Sequence, residues 1–149
     1  MKKTIYSSFC GTGKTYLCNN FPKEYVELCC WEYQGETFPD NYISDIVDKL
    51  NTVKYLFIST NPVALKKLNE LGFNIVLIYP KNELKEEYFR RFTNRIKGDD
   101  INIHLDFLET MDTYWDGWLN ELKEQNYCTH IILKSGEYLQ NVLNDGTRN

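Results

Sequence analysis

The sequence predicts an α/β fold built on a parallel sheet with both faces covered. Two observations predict it. Short apolar runs of about five residues alternate along the chain with longer amphipathic stretches. Between the runs, apolar residues recur at helical spacing, as at Ile43, Ile46, Val47 and Leu50.

The elements follow in order. Thr4 to Phe9 reads as a strand ending in a glycine-rich turn, and Gly13 to Asn20 as a helix stopped by Pro22. Tyr25 to Trp31 is the second strand and Asn41 to Leu50 the next helix. Val53 to Ser59 reads as a buried strand. Asn61 and Pro62 open a short helix over Val63 to Leu71, closed by Gly72. Phe73 to Tyr79 is a strand ended by Pro80. Asn82 is placed to cap a helix that runs to about Ile96 and stops near Gly98. Asp100 begins a long amphipathic helix to about Gln125. Thr129 to Leu133 is the last strand, and Gly136 to Leu143 a terminal helix. The polar, glycine-containing loop from Tyr33 to Asp40 is expected to be mobile.

The 149 residues suit one domain, and 42% hydrophobic residues argue against disorder. A domain of this size buries roughly 70% of its unfolded surface and needs no staples. Met-Lys-Lys-Thr-Ile-Tyr begins as a secretion signal does, but Ser7 and Ser8 interrupt it and no long apolar region follows. The expectation is a cytoplasmic chain with no membrane span. Cys10, Cys18, Cys29, Cys30 and Cys128 are odd in number and form no CxxC pair, and histidine is scarce, with His104 and His130 alone, so a zinc site has few possible ligands. They read as reduced thiols used as small apolar residues. The net charge of −4 argues against a broad duplex-binding face.

The strongest motif is Ser8-Phe9-Cys10-Gly11-Thr12-Gly13-Lys14-Thr15. It fits the Walker A pattern except at its first position, where Ser8 stands for glycine. Glycines let successive backbone N–H groups curl around phosphate oxygens, and the following helix start adds partial positive charge. Lys14 is placed to reach β- and γ-phosphates, and the Thr15 hydroxyl to ligate Mg²⁺. The third strand ends Ile58-Ser59-Thr60 without a carboxylate, which weighs against a motor ATPase.

A second signal lies between Lys81 and Lys97, with six basic and three acidic residues. Arg91 and Arg95 are one helical turn apart and share a face. Two guanidinium groups so placed can clamp phosphate oxygens by forked hydrogen bonds. The alternative is a solvated helix laced by Glu86–Arg90 and Glu87–Arg91 pairs. After a phosphate loop and a fourth strand, the segment reads as a lid that closes over a polyphosphate and excludes water. The last 51 residues hold ten acids against three bases, so positive charge is concentrated at Lys14 and this segment.

Taken together, the loop, the missing third-strand acid and Tyr79-Pro80-Lys81-x-Glu83-Leu84-Lys85-x-Glu87-Tyr88-x-x-Arg91-Phe92-x-x-Arg95 resemble the P-loop nucleoside and nucleotide kinase superfamily. Small bacteriophage-encoded kinase-like proteins are the nearer likeness. The resemblance covers most of the first 97 residues, including Phe38 to Ile43 and Phe57 to Thr60. It implies a three-layer α/β/α sandwich over residues 1–149, strand order 2-3-1-4-5, with a lid at 81–97. It implies ATP and Mg²⁺, with the nucleotide held by Cys10, Gly11, Thr12, Gly13, Lys14, Thr15 and Tyr16. Arg91 and Arg95 would match the lid arginines, with weaker support for Arg90. The base would lie near Lys134-Ser135-Gly136. If the chain is phage-encoded, its compartment is the host cytoplasm.

The expected acceptor is a small nucleotide or nucleoside, without stable duplex nucleic acid; the oligomeric state stays open. Kinases that phosphorylate a hydroxyl often set a carboxylate at the end of the second strand to take its proton. Glu27 lies inside that strand and Glu32 at its C-terminal end, where ligands of such sheets sit, which favours Glu32. A plain surface glutamate is the alternative. Trp31, Tyr33, Phe38 and Tyr42 are placed to stack an acceptor base; the alternative for each is ordinary core or a hydrophobic rim. Trp115 and Trp118 read as core. Two other readings stand beside the kinase: an ATP-binding regulatory module without turnover, and a polynucleotide 5′-kinase.

Overall fold

The computed structural model describes residues 3–94 and 101–143. Its strands are β1 (Thr4–Ser8), β2 (Tyr25–Leu28), β3 (Tyr55–Ile58), β4 (Asn74–Pro80) and β5 (Thr129–Leu133). They form one sheet in the order β2-β3-β1-β4-β5, and every pairing is parallel. The helices are α1 (Lys14–Asn20), α2 (Asp40–Leu50), α3 (Pro62–Glu70), α4 (Lys85–Asn94), α5 (Ile101–Lys123) and α6 (Leu139–Val142). Both the α/β class and the strand order agree with expectation.

Strand residues alternate between faces, so β1 to β4 each feed two separate cores. Leu56 and Ile58 of β3, with Ile75, Leu77 and Tyr79 of β4, join residues of α2, α3, α4 and α5 in the larger one. Tyr55, Phe57 and Ile78 join Leu17 of α1 and Leu139 and Val142 of α6 in the smaller. In the larger core Trp115 is 1% exposed, meets Phe9 edge-on at 5.5 Å, and donates its indole N–H to the Asn82 carbonyl at 2.8 Å.

Several boundaries differ from expectation. β2 ends at Leu28 and the chain turns into a short 3-10 helix over Cys30–Tyr33. The reason is local: the Cys30 N–H donates to the Ser59 hydroxyl at 3.0 Å instead of continuing the ladder. Asn82 caps no α-helix. It opens a 3-10 turn (Asn82–Leu84), and its side chain reaches α5, donating to Asp116 at 2.8 Å and accepting from Lys123. The last helix starts at Leu139 rather than Gly136, because Gly136 holds φ +78° and Tyr138 is extended. Trp118 is not core: it is 37% exposed and stacks on Tyr114 at 5.4 Å. Met111, Trp115, Leu119 and Leu122 form the buried stripe of α5 instead. Among the described residues no helix is long and apolar enough to cross a membrane.

Candidate functional site

The central strand β1 runs directly into the glycine loop. Ser8 closes the strand, and Phe9 stays tied to the sheet by its N–H to the Ile78 carbonyl, 2.9 Å. Gly11 (φ +80°) and Gly13 (φ +106°) take left-handed backbone that other residues rarely adopt, and Gly13 is the cap from which α1 starts. The Thr12 hydroxyl, buried, donates to the Phe9 carbonyl at 2.8 Å and braces the curl. The first N–H groups of α1 have no carbonyl one turn earlier within the helix, so they face out of its end.

Lys14 folds back over this loop. Its ammonium donates to the Ser8 carbonyl at 3.1 Å. The Ser8 hydroxyl, at the position where the motif has glycine, is buried with no hydrogen-bond partner among the described residues. One residue beyond Lys14, the exposed Thr15 hydroxyl donates to Glu27 Oε1 at 3.3 Å. Alternation along β2 explains the meeting. Tyr25 and Glu27 pair with Tyr55 and Phe57 and share their face of the sheet, the face that carries α1.

Glu27 also accepts from the Cys29 thiol at 3.9 Å. Burial, then the Glu27 charge, pushes the Cys29 thiol up, and the same two causes push the Cys18 thiol up to about 11. A thiol is also a soft ligand, ill matched to a hard cation such as Mg²⁺. The hard oxygen donors at this place are Thr15 and Glu27, which suit Mg²⁺. Among the described residues no three His, Cys, Asp or Glu side chains group closely enough to hold a metal alone. Mg²⁺ keeps several of its waters and asks few ligands of a protein, so one hydroxyl oxygen, with a carboxylate to orient it, is a sufficient share.

The loop is held from behind by α4. Arg91 donates one guanidinium nitrogen to the Gly11 carbonyl at 2.8 Å. Another donates to the Glu137 carbonyl at 3.1 Å and pairs with Glu87 at 3.0 Å. The guanidinium carbon lies 3.9 Å from the Tyr138 ring centroid and 4.3 Å from that of Tyr88. Glu87 in turn accepts from the Ser135 hydroxyl at 2.5 Å and the Gly136 N–H at 2.9 Å. Those bonds, the Gly136 N–H first, hold its carboxyl below the ordinary range. The Leu139 N–H to the Thr12 carbonyl, 2.9 Å, closes the ring. The glycine loop, α4 and the loop after β5 thus form one bonded unit.

Between α1 and that last loop opens a pocket of about 360 Å³, lined by Gly13, Tyr16, Leu17, Tyr138 and Gln140. Of its two aromatic lining residues, Tyr16 is 55% exposed and Tyr138 38%.

The expected site residues are distributed as follows. Cys10 to Tyr16 and Arg91 come together around the loop. Glu32 stands apart, exposed on the 3-10 turn after β2, with Trp31 beside it. Tyr42 is buried, its hydroxyl donating to the Leu28 carbonyl at 2.5 Å and accepting the Ser59 N–H at 3.1 Å, so it stacks no ligand. Arg90 is exposed. Arg95 lies outside the described residues, as do Ile96 and Lys97 of the expected lid. Sequence reasoning misses Glu137 and Tyr138 as parts of the site, and places Glu87 there only as a helix-surface partner. The Glu87–Arg91 spacing of four is the one signal it had for any of the three.

Compared with known protein families and with curated proteins, the chain matches none.

Proposed function

We propose that this chain is an ATP-dependent phosphotransferase acting on a small nucleotide or nucleoside, built as one three-layer α/β/α P-loop kinase domain over residues 1–149. One observation carries the reading. At the end of the central strand, Gly11 and Gly13 hold left-handed backbone while the Lys14 ammonium sits 3.1 Å from the Ser8 carbonyl. A loop of this shape turns N–H groups toward a single point, and the lysine adds a full charge there.

Phosphate oxygens attract an ammonium more strongly than a neutral carbonyl does. On nucleotide binding Lys14 therefore exchanges Ser8 for the β- and γ-phosphates. Thr15 presents its hydroxyl to nucleotide-bound Mg²⁺, which supplies charge neutralisation across those phosphates. The base enters the pocket between Tyr16 and Tyr138, where aromatic faces stack it. Arg91, on the Tyr138 ring, keeps the phosphate loop and the base-side loop at fixed separation. Arg95 keeps the expected role of a lid cation over the phosphates. The γ-phosphoryl group then passes in line to the acceptor, and catalysis is mainly positioning and charge stabilisation.

The acceptor lies beyond the end of β2. Trp31, 69% exposed, offers a ring there, and Glu32 takes the proton when the acceptor is a hydroxyl. An acceptor that is already a phosphate needs no base.

ADP release measured against nucleosides, nucleotides and 5′-hydroxyl oligonucleotides tests the proposal. A nucleoside or nucleotide is expected to stimulate release by the native chain, and Lys14→Ala to abolish it. Full turnover by Lys14→Ala rejects the site. Stimulation by oligonucleotides alone supports a polynucleotide kinase. ATP binding that no acceptor converts to ADP supports a regulatory module.

A further inference from the structure

The third strand carries no acid to assist a nucleotide-bound metal ion, and the structure shows what Ser59 does there instead. Its hydroxyl accepts from the Cys30 N–H at 3.0 Å, its carbonyl accepts from the Ser7 hydroxyl at 2.9 Å, and its N–H donates to the Tyr42 hydroxyl at 3.1 Å. Ser59 is thus committed to tying the ends of the first three strands together.

The carboxylate facing the loop comes from the neighbouring strand. Glu27 is aimed at Thr15 by strand alternation, and the Thr15 hydroxyl already donates to it at 3.3 Å. A hydroxyl has one proton and two lone pairs. When a lone pair binds a cation, the proton must point away from the metal and toward an acceptor. Partners that orient a ligand in this way typically govern metal affinity by 10- to 100-fold.

We propose that Glu27 of β2 takes the place of the missing third-strand acid, fixing the Thr15 hydroxyl and adding negative charge for the Mg²⁺ of the bound nucleotide. The inference rests on the nucleotide-binding reading above. It separates the two glutamates: Glu27 serves the metal side, and Glu32 is left to face the acceptor. Glu27 is a positioning residue, acting through Thr15.

ADP binding by calorimetry, across a Mg²⁺ series and in EDTA, tests it without turnover. Glu27→Gln removes the charge but keeps the side-chain size. The Mg²⁺ midpoint for tightening ADP binding is expected to rise about 10- to 100-fold. Binding in EDTA is expected to be no weaker than native, because a negative charge near the phosphates has gone. Thr15→Val should raise the midpoint similarly, and the double variant by less than the two single effects combined, since both break the Thr15–Glu27 linkage. A native midpoint in Glu27→Gln overturns the inference while leaving nucleotide binding intact. A native chain that binds no ADP at any Mg²⁺ concentration overturns the nucleotide reading, and the inference with it. If Glu27→Gln does not fold, Glu27→Asp, one methylene shorter, should give a midpoint above native; a native midpoint there also overturns the inference.

Discussion

The guanidinium of Arg91 donates to the carbonyl oxygen of Gly11 at 2.8 Å, joining residues 80 positions apart. Its side chain is 10% exposed, and its other contacts are Glu87, the Glu137 carbonyl and two tyrosine rings. A cation so engaged differs from a free lid arginine that swings in during transfer. Removing it strands two backbone carbonyls, at a cost of about 1–3 kcal/mol. Arg91→Ala is expected to lower stability to denaturant by that amount and to raise KM for ATP. Arg91→Lys should not rescue it, because an ammonium cannot reproduce the planar fork. Unaltered stability and KM with a reduced kcat would return Arg91 to a role in the transition state.

The Glu87 carboxylate gives this unit a pH dependence whose sign is fixed. Its folded pKa lies below the ordinary 4.5, mainly through the Gly136 N–H and the Ser135 hydroxyl. The stabilisation is therefore fully present above the ordinary value and is lost as pH falls through the folded value. Thermal midpoints measured downward from neutrality should fall more steeply in the native chain than in Glu87→Gln once the pH passes below 4.5. Parallel curves would show that the carboxylate is not held down by these bonds.

Gly11 is constrained twice over. Its φ of +80° is unfavourable to any side chain, and a Cβ there would come 2.8 Å from Phe92 Cε1 and 3.1 Å from Tyr88 Cδ2. Both rings are buried, at 3% and 0% exposure, and have little room to yield. Gly35 has φ +132°, but a methyl group there would meet nothing within 4 Å, so Gly35→Ala isolates the backbone penalty. Left-handed backbone alone costs about 1–2 kcal/mol. Gly11→Ala should exceed Gly35→Ala in lost stability, and should also weaken nucleotide binding, which Gly35→Ala should leave alone. Equal losses in calorimetry and ADP titration would remove the steric part of the argument.

The sheet was legible because each strand is a short apolar run and each helix carries its own period, both local properties. The glycine loop was legible for the same reason: its glycines, lysine and threonine are contiguous. Arg91 was visible as a charge, but its partners Gly11 and Glu137 lie 80 and 46 residues away, and no local spacing encodes them. Glu27 did carry a signal, its alternation with Tyr25 on one face of β2. Its place inside the strand hid that signal, since ligands favour strand ends and Glu32 lies nearer one. Trp118 sits at helical spacing from Met111, yet Leu119 takes the buried position and leaves the indole outside. Periodicity locates an apolar face without resolving which of two neighbouring residues the core accepts.

Tyr42 links the buried core to the site through a single oxygen. Its hydroxyl donates to the Leu28 carbonyl at 2.5 Å and accepts the Ser59 N–H at 3.1 Å, so it fastens the ends of β2 and β3. Burial pushes its phenol well above the ordinary range, so it remains a donor throughout the working pH. Tyr42→Phe keeps the ring, which fills the core at 0% exposure, and deletes only the oxygen. Two backbone groups then lose a partner, costing about 1–3 kcal/mol. The effect should spread along β2 to Glu27, one residue before Leu28. Amide hydrogen exchange is expected to quicken at Leu28 to Cys30 and at Ser59, and the Mg²⁺ midpoint for ADP binding to rise. Faster exchange with an unmoved Mg²⁺ midpoint would confine Tyr42 to the core and detach it from the metal side of the site.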